Sequence, residues 1–229
     1  MKIAFCGVPT VGKTDLVKMI MEKWPDYIKS VDKNPDLYCE AARNDIGMLD
    51  KIMDEFVNEA MFVEGKKNIV HDGCVLDALA HIYMFFGMHP EANSDILAKY
   101  HGLMYAAIQY YDIIFYVPYR TKYKRDLEKI TKDEFLYYTK LDEFYSAIFD
   151  EWKKTNKSMF PFTSKLGCPP IIEVFGQTAE DQLAMLQLYI DENGDAVPPQ
   201  QKDAPGVERA KTIDELSEEE KTEKDSKTT

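Results

Sequence analysis

Short apolar runs alternate along the chain with longer segments in which apolar residues recur at helical spacing. Most of the runs stop at a glycine, a proline or an aspartate, as a buried strand does before a turn. Chains in which short strands alternate with helices fold as parallel α/β sheets. The pattern predicts five strands, at residues 2–6, 27–32, 67–71, 112–117 and 170–176.

The segments between the strands predict helices. The first helix stops at Trp24-Pro25, and Asn34-Pro35 is typical of a helix start. A charged region at about 119–157 carries apolar residues at helical spacing, which suits helices lying over one edge of the sheet. We therefore expect an α/β three-layer sandwich with a five-stranded parallel sheet and a helical lid region. Helices are predicted at 13–23, about 36–64, 75–87, 91–111, within 119–157, and at 178–190.

The chain changes character after residue 192. The stretch VPPQQKDAPG is rich in proline and polar residues, and the segment ELSEEEKTEKDSKTT that follows has almost no apolar residues. Such a segment cannot bury enough apolar surface to offset the entropy of ordering it. We predict a folded domain over residues 1–192 and an acidic disordered tail over residues 193–229.

Composition and charge exclude several classes of protein. The chain has 229 residues, of which 45% are apolar, so it can fill a core without a metal or disulfide. Its four cysteines form no C-x-x-C pair, which indicates a reducing compartment. A net charge of −12 disfavours DNA as a partner, and apolar runs of about 18 residues, which a membrane helix needs, are absent. We expect a cytoplasmic protein without a membrane partner, and the sequence leaves its oligomeric state open.

A phosphate-binding loop is the clearest motif of the sequence. GVPTVGKT matches the P-loop, or Walker A, pattern G-x-x-x-x-G-K-[ST], and it stands between the first predicted strand and the first predicted helix. Backbone N–H groups of such a loop surround a polyphosphate, its lysine reaches the β- and γ-phosphates, and its hydroxyl binds Mg²⁺. The motif predicts ATP and Mg²⁺ as cofactors, with ATP held by Gly7, Val8, Pro9, Thr10, Val11, Gly12, Lys13 and Thr14.

Phosphoryl transfer also needs a carboxylate near the transferred group. Asp72 follows the third predicted strand, and ligands of parallel sheets gather at the carboxyl ends of the strands. We expect Asp72 either to hold the metal together with Thr14 or to accept the proton of the attacking hydroxyl. The other interpretation is a turn aspartate before Gly73. Asp77 is expected to face solvent or to cap the helix that follows.

Four segments together resemble P-loop kinases of nucleosides and nucleoside monophosphates. The resemblance is closest to the nicotinamide-riboside-kinase-like, thymidylate-kinase-like group often labelled as an AAA domain, a superfamily that includes viral kinases. It covers residues 1–190. The segments are GVPTVGKT, CEAARNDIG at 39–47, HDGCVLDALAHIYMF at 71–85, and YDIIFYVPY with IIEVFGQTAEDQ within 111–182.

The resemblance implies further site residues. It places Glu40 and Arg43 at the acceptor, where their i, i+3 spacing puts both on one helix face; a surface ion pair is the alternative. It brings lid arginines over the phosphates, with Arg120 and Arg125 as catalytic candidates, although a solvated helix face would carry the same residues. It also places the loop Gly176, Gln177 and Thr178 against adenine, unless Thr178 only caps the following helix.

We therefore expect an ATP- and Mg²⁺-dependent phosphotransferase that acts on a nucleoside, a nucleoside monophosphate or a related acceptor. A regulatory GTPase would carry an N-K-x-D segment, and a mechanical ATPase would have glutamate after Asp72; the chain has neither feature. Two alternatives remain. One is a kinase of hydroxymethylated pyrimidines in viral DNA, and the other is a nucleotide-binding NTPase or adaptor without kinase activity.

Overall fold

The computed structural model describes residues 1–31, 35–62, 68–90, 95–119, 131–155, 169–176 and 178–197. All of them belong to one unit, Met1–Pro198.

Five parallel strands form a single sheet in these residues. The strands are β1 (Lys2–Cys6), β2 (Ile28–Lys29), β3 (Ile69–Asp72), β4 (Ile113–Tyr116) and β5 (Ile171–Glu173). They lie in the order β2-β3-β1-β4-β5, and every neighbouring pair is parallel. All five predicted strands are confirmed: β1 has its predicted bounds, β3 ends one residue later than predicted, and the other ends are one to three residues shorter.

Seven helices connect and cover the strands in the described residues. They form two groups: α1 packs against α7, whereas α4 contacts α2, α3, α5 and α6, which gives a helical layer on each face of the sheet. The predicted three-layer α/β architecture is confirmed. The helices are α1 (Lys13–Lys23), α2 (Pro35–Asn44), α3 (Ile46–Phe62), α4 (Val75–Met88), α5 (Asp95–Ile108), α6 (Lys132–Thr155) and α7 (Ala179–Leu186).

The core lies around the two central strands. Both β1 and β4 are buried along almost their whole length, and Phe5 of β1 stacks on Phe115 of β4 with ring centroids 5.6 Å apart. Strands buried on both faces read as continuous apolar runs, which is why these two were the easiest to predict. Because β1 is central, the loop that leaves its carboxyl end lies in the middle of that edge of the sheet.

The predicted helical stretch 36–64 is divided into two helices. Asp45 separates α2 from α3, and its Oδ1 accepts a hydrogen bond of 3.0 Å from the backbone N–H of Met48. A side-chain acceptor of this kind satisfies a free N–H in the first turn of a helix, so α3 begins anew there. The predicted helical region is confirmed, and its division into two helices was not predicted because apolar spacing persists across the break.

The first residues of the predicted tail lie against the folded unit. The indole Nε1 of Trp24 donates to the carbonyl of Asp191 at 3.0 Å, and the hydroxyl of Tyr27 donates to the carbonyl of Gly194 at 2.6 Å. A β-bridge joins Ile190 to Ala196. The packed chain thus continues past residue 192 to residue 197, and the rest of the predicted tail lies outside the described residues. Within those residues, no helix has the length and apolar character needed to cross a membrane.

Candidate functional site

The P-loop connects β1 to α1 in a conformation that its glycines make accessible. Gly7 has φ +140°, and a Cβ there would collide with the carbonyl oxygen of Val117 at the end of β4. Gly12, directly before α1, has φ +93°, and Thr10 between them has φ +73°. Residues that carry a side chain rarely adopt these positive φ angles, so the two glycines of the motif allow the loop to follow this path.

Lys13, the lysine of the motif, is held close to the loop itself. Its Nζ donates to the carbonyl oxygen of Gly7 and, at 3.0 Å, to that of Val8. The same ammonium lies 3.9 Å from Oδ1 of Asp77 in α4, and both side chains are nearly buried. The positive charge of Lys13 therefore lies beside the loop backbone, where it would attract an anion bound by the loop.

Thr14 and Asp72 meet across the mouth of the loop. The hydroxyl Oγ1 of Thr14 donates to Oδ2 of Asp72 at 2.7 Å. Asp72 is the last residue of β3, and its register partner in β1 is Phe5, two residues before the loop. A hydroxyl and a carboxylate are the hard oxygen ligands that Mg²⁺ prefers, so the pair fits a magnesium ion. The two residues predicted to share a metal are side by side.

Asp77 is a buried member of the site. Its Oδ1 accepts from the backbone N–H of Gly7 at 3.2 Å and from the hydroxyl of Tyr145 in α6 at 2.6 Å. Its Oδ2 accepts from the N–H of Cys74 at 2.7 Å, so the predicted cap of α4 is confirmed. The other expectation, that Asp77 faces solvent, is wrong, because the residue is only 5% exposed.

The pKa of Asp77 reflects opposed effects. Burial raises it above the ordinary value of 3.8, while the charge of Lys13 and the hydrogen bonds from Tyr145, Cys74 and Gly7 lower it. Burial and nearby carboxylate charge also raise the pKa of Tyr145 well above its usual range, so this side chain stays a phenol that can donate. Asp77 thus connects the first residue of the P-loop, its lysine and α6.

A cavity of about 330 Å³ extends from the P-loop. Six of the eight loop residues, including Lys13 and Thr14, form one part of its wall, and Asp72 and Asp77 form another. Val8 and Val11 of the loop are buried in the core instead. Aromatic side chains of three different helices complete the wall: Tyr38 of α2, Phe56 of α3 and His81 of α4. The volume is at the small end of the range for ligand pockets in proteins.

The aromatic wall carries no charge near neutral pH. Burial, and to a lesser extent Lys13, lowers the pKa of His81 from 6.5 to about 3. Nδ1 of this imidazole lies 3.1 Å from the hydroxyl of Tyr137 in α6. Tyr38 packs against both His81 and Phe56, with ring centroids 6.1 Å and 5.6 Å apart. The wall therefore offers flat apolar surface and one neutral hydrogen-bonding ring.

The other predicted site residues lie outside the described part of this cavity wall. Glu40 and Arg43 are exposed in α2, and the guanidinium of Arg43 lies over the ring of Tyr137 at 4.9 Å. Tyr137 in turn lies against His81 of the cavity wall, with ring centroids 6.3 Å apart. The roles of Arg43 and Glu40 stay predictions. Arg120 and Arg125 fall outside the described residues.

The predicted adenine loop is described in part. Thr178 is the N-cap of α7, where its hydroxyl accepts from the N–H of Asp181 at 3.1 Å. This confirms the capping interpretation and does not test contact with adenine. Gly176 has φ +154°, and a Cβ there would lie 2.9 Å from Cβ of Asp181. Gln177 lies outside the described residues.

Sequence reasoning missed several side chains of the site. Tyr38 and Phe56 belong to helices whose apolar spacing gives no sign of a cavity, and Tyr145 resembles any tyrosine of an amphipathic helix. A signal existed in α4, where Asp77 and His81 stand alone in a helix that is otherwise almost wholly apolar. Polar side chains in such a helix must find partners inside the protein.

Comparisons with known proteins give a likeness at the level of the fold. No protein-family model matches the chain, and no curated protein matches it. Three solved structures of deoxyadenosine kinase from M. mycoides are similar. The structure with the products dCMP and a flexible dCDP bound has a TM-score of 0.56 at 18% identity, and the match covers 82% of this chain and 97% of that chain. The structures with bound dCTP and dATP each give 0.55, at 18% and 17% identity, with the same coverage. At this identity the likeness shows the fold alone, which the chain shares with these kinase structures.

Proposed function

We propose that the protein transfers the γ-phosphoryl group of ATP to a hydroxyl of a small nucleoside, with Mg²⁺ as cofactor. The observation that carries the proposal is the contact between Thr14 and Asp72 at the mouth of the P-loop, next to a cavity that continues to an aromatic wall. A triphosphate site and a base-sized site in one cavity are what such a transfer needs.

The donor side follows from the loop. Backbone N–H groups from Gly7 to Thr14 would bind the β- and γ-phosphates, and Lys13 would leave the loop carbonyls to neutralise their charge. Thr14 and Asp72 would hold Mg²⁺, which neutralises charge on the phosphate oxygens when bound. Asp72 would also orient the acceptor hydroxyl or accept its proton. Asp77 would keep Gly7 and Lys13 in place.

The acceptor side follows from the charge of the cavity. Among the described residues that line it, Lys13 is the single cation, whereas Asp15, Asp72 and Asp77 are carboxyl groups. Within this described wall, the phosphate of a nucleoside monophosphate would face carboxyl groups and no second cation, which favours a nucleoside as the acceptor. The neutral wall of Tyr38, Phe56 and His81 suits an uncharged planar base. The similar deoxyadenosine kinase structures, with deoxynucleotides bound, support this choice.

The remaining roles extend this proposal. Glu40 and Arg43 would contact the acceptor at its outer side, Arg120 and Arg125 would act over the phosphates, and residues 176–178 would pack against adenine. A base within duplex DNA is a poorer fit, because the chain carries a charge of −12, which opposes contact with the DNA phosphates. A cytoplasmic location remains a prediction.

A transfer assay with γ-labelled ATP tests the proposal. Label is expected in nucleosides, and far less in nucleoside monophosphates or in hydroxymethylated DNA. Asp72→Asn should lower kcat at least about 100-fold while changing the Kd for ATP less than about threefold, because its carboxylate acts at the transferred group. Asp54→Asn, at an exposed position of α3, is the control and should leave both constants unchanged. Label that appears only in free phosphate, or a full rate for Asp72→Asn, would contradict the proposal.

A further inference from the structure

A lysine from the edge of the sheet lies beside the metal-site carboxylate. β2 ends at Lys29, which is paired in register with Val70, two residues before Asp72 in β3. The N–H of Ser30 still donates to the carbonyl of Val70 at 2.9 Å, so the backbone is fixed at this point. Nζ of Lys29 is 3.4 Å from Oδ2 of Asp72.

The lysine and Thr14 address the same oxygen atom. Oδ2 of Asp72 accepts from the hydroxyl of Thr14 at 2.7 Å and faces the ammonium of Lys29 at 3.4 Å. The side chains of Lys29 and Asp72 are 26% and 13% exposed, so water screens this pair less than a surface pair. A divalent cation bound by Thr14 and Asp72 would have to compete with the ammonium for that oxygen.

We propose that Lys29 is a positioning residue that neutralises Asp72 and makes the uptake of Mg²⁺ depend on the nucleotide. In the free protein, the ammonium keeps the carboxylate directed at Thr14 and opposes a bare divalent cation. When nucleotide phosphates arrive, they attract the ammonium away from the carboxylate, and the cation is held by the protein and the phosphates together. This inference rests on the proposed function, since it assigns Thr14 and Asp72 to the metal.

The neighbouring sequence supports a cation supplied from β2. The residue after Asp72 is Gly73, which has φ +108° and no side chain, so this position provides no positive group. A Cβ at Gly73 would also lie only 3.3 Å from the ring of Phe56 in the cavity wall. Lys29 instead reaches the carboxylate of Asp72 from the adjacent strand β2, and it is not among the described residues that line the cavity beside Phe56.

Binding of Mn²⁺, followed by its electron paramagnetic resonance signal, tests the inference without an activity measurement. Lys29→Met should bind Mn²⁺ about fivefold more tightly than the wild type in the absence of nucleotide. With saturating ADP, the Mn²⁺ affinities of Lys29→Met and the wild type should differ less than about twofold. The factor by which ADP tightens Mn²⁺ binding should therefore be about fivefold smaller in Lys29→Met than in the wild type. Lys29→Arg should behave as the wild type, because it keeps the charge.

Two further variants make the result specific. Lys99→Met is the control for loss of a lysine–aspartate pair: Nζ of Lys99 in α5 lies 2.6 Å from Oδ1 of Asp50 in α3. This variant should leave Mn²⁺ binding unchanged. Lys29→Gln removes the charge with a polar side chain and should match Lys29→Met, which guards against a local folding defect in either variant. The inference is overturned if the wild type and both neutral variants bind Mn²⁺ with equal affinity in the absence of ADP. It is also overturned if Lys29→Arg binds Mn²⁺ as tightly as Lys29→Met does.

The proposed function can fail separately. A wild type that transfers no phosphate to nucleosides, yet shows the Lys29 effect on Mn²⁺, would refute the acceptor and support the role of Lys29. Normal transfer together with no Lys29 effect would do the reverse. A wild type that does not bind Mn²⁺ even with ADP would overturn both.

Discussion

The hydroxyl of Tyr145 provides a test of how the P-loop is supported. It lies in α6 and is completely buried, and it donates to Oδ1 of Asp77 at 2.6 Å while lying 3.3 Å from the carbonyl oxygen of Gly7. Tyr145→Phe removes this single donor and keeps the ring. The variant should lower the free energy of unfolding, and the loss should depend on pH.

The magnitude follows from the state of Asp77. A hydrogen bond to a charged group contributes about 1.5–3 kcal/mol, and one between neutral groups about 0.5–1.5 kcal/mol. We expect a loss of about 2 kcal/mol where Asp77 is ionised and about 1 kcal/mol where it is protonated, so the loss at pH 8 should be no smaller than the loss at pH 5.

The loss of unfolding free energy in Tyr145→Phe should increase with pH. A carboxyl group whose pKa is raised on folding contributes stability that is fully present below its unfolded pKa, here 3.8, and is lost as the pH rises through its folded pKa. The bond from Tyr145 lowers the pKa of Asp77, so removing it raises that pKa further. The extra loss in Tyr145→Phe therefore accumulates as the pH rises through the folded pKa of Asp77.

Urea unfolding followed by circular dichroism, at pH values from 5 to 8, measures this loss. Tyr27→Phe is the matched control, because the buried hydroxyl of Tyr27 donates at 2.6 Å to the carbonyl of Gly194, which does not titrate. Its loss should be about 1 kcal/mol at every pH in this range. A cost for Tyr145→Phe below about 0.5 kcal/mol at pH 8, or a cost that is smaller at pH 8 than at pH 5, would contradict this account of the hydrogen bond.

Two other predictions concern stability. Gly176→Ala should destabilise the protein by about 1–3 kcal/mol in urea unfolding, because its Cβ would lie 2.9 Å from Cβ of Asp181 at φ +154°. Gly102→Ala, in α5 with open space around the new Cβ, should instead be neutral or stabilise by up to about 1 kcal/mol. Because the pKa of His81 falls from 6.5 to about 3 on folding, the stability that its neutral form provides is present above pH 6.5 and is lost as the pH falls towards 3. His81→Phe should weaken that acid sensitivity, and an unchanged slope of unfolding free energy between pH 7 and 5 would show that another group causes it.

Much of the fold could be predicted because its signals are local. Runs such as IIFY of β4 are apolar throughout, since both faces of a central parallel strand are buried. The P-loop was equally clear, because its glycines, lysine and threonine act at fixed spacing along one loop. The break between α2 and α3 was missed, because one aspartate cap leaves the apolar spacing intact on both sides.

The site could be predicted only where its residues are neighbours of a motif or of a strand end. Asp72 was found because the end of a parallel strand has a known place in the fold. Lys29 follows the same rule at the end of β2, but that strand is two residues long and its end was predicted at residue 32. The exact end of a strand decides which side chain meets the site, and strand ends are the least certain part of a sequence-based assignment.

The interior of α4 holds a signal that pattern reasoning can use. Residues 75–82 of this helix are all buried, so a polar side chain in its first two turns does not meet bulk water. Asp77 and His81 are four residues apart and therefore lie on one face of the helix. Both line the cavity, and each is hydrogen-bonded to a tyrosine hydroxyl of α6: Asp77 to Tyr145 and His81 to Tyr137.

The general signal is a pair of polar residues at i, i+4 in an otherwise apolar helix that follows a strand ending in a carboxylate. Burial of such residues without partners would cost several kcal/mol, so the pair indicates the helix face that meets a cavity. The tyrosines that satisfy them come from a helix more than fifty residues later in the chain, which is why local spacing predicts that polar partners must exist but does not predict which residues they are.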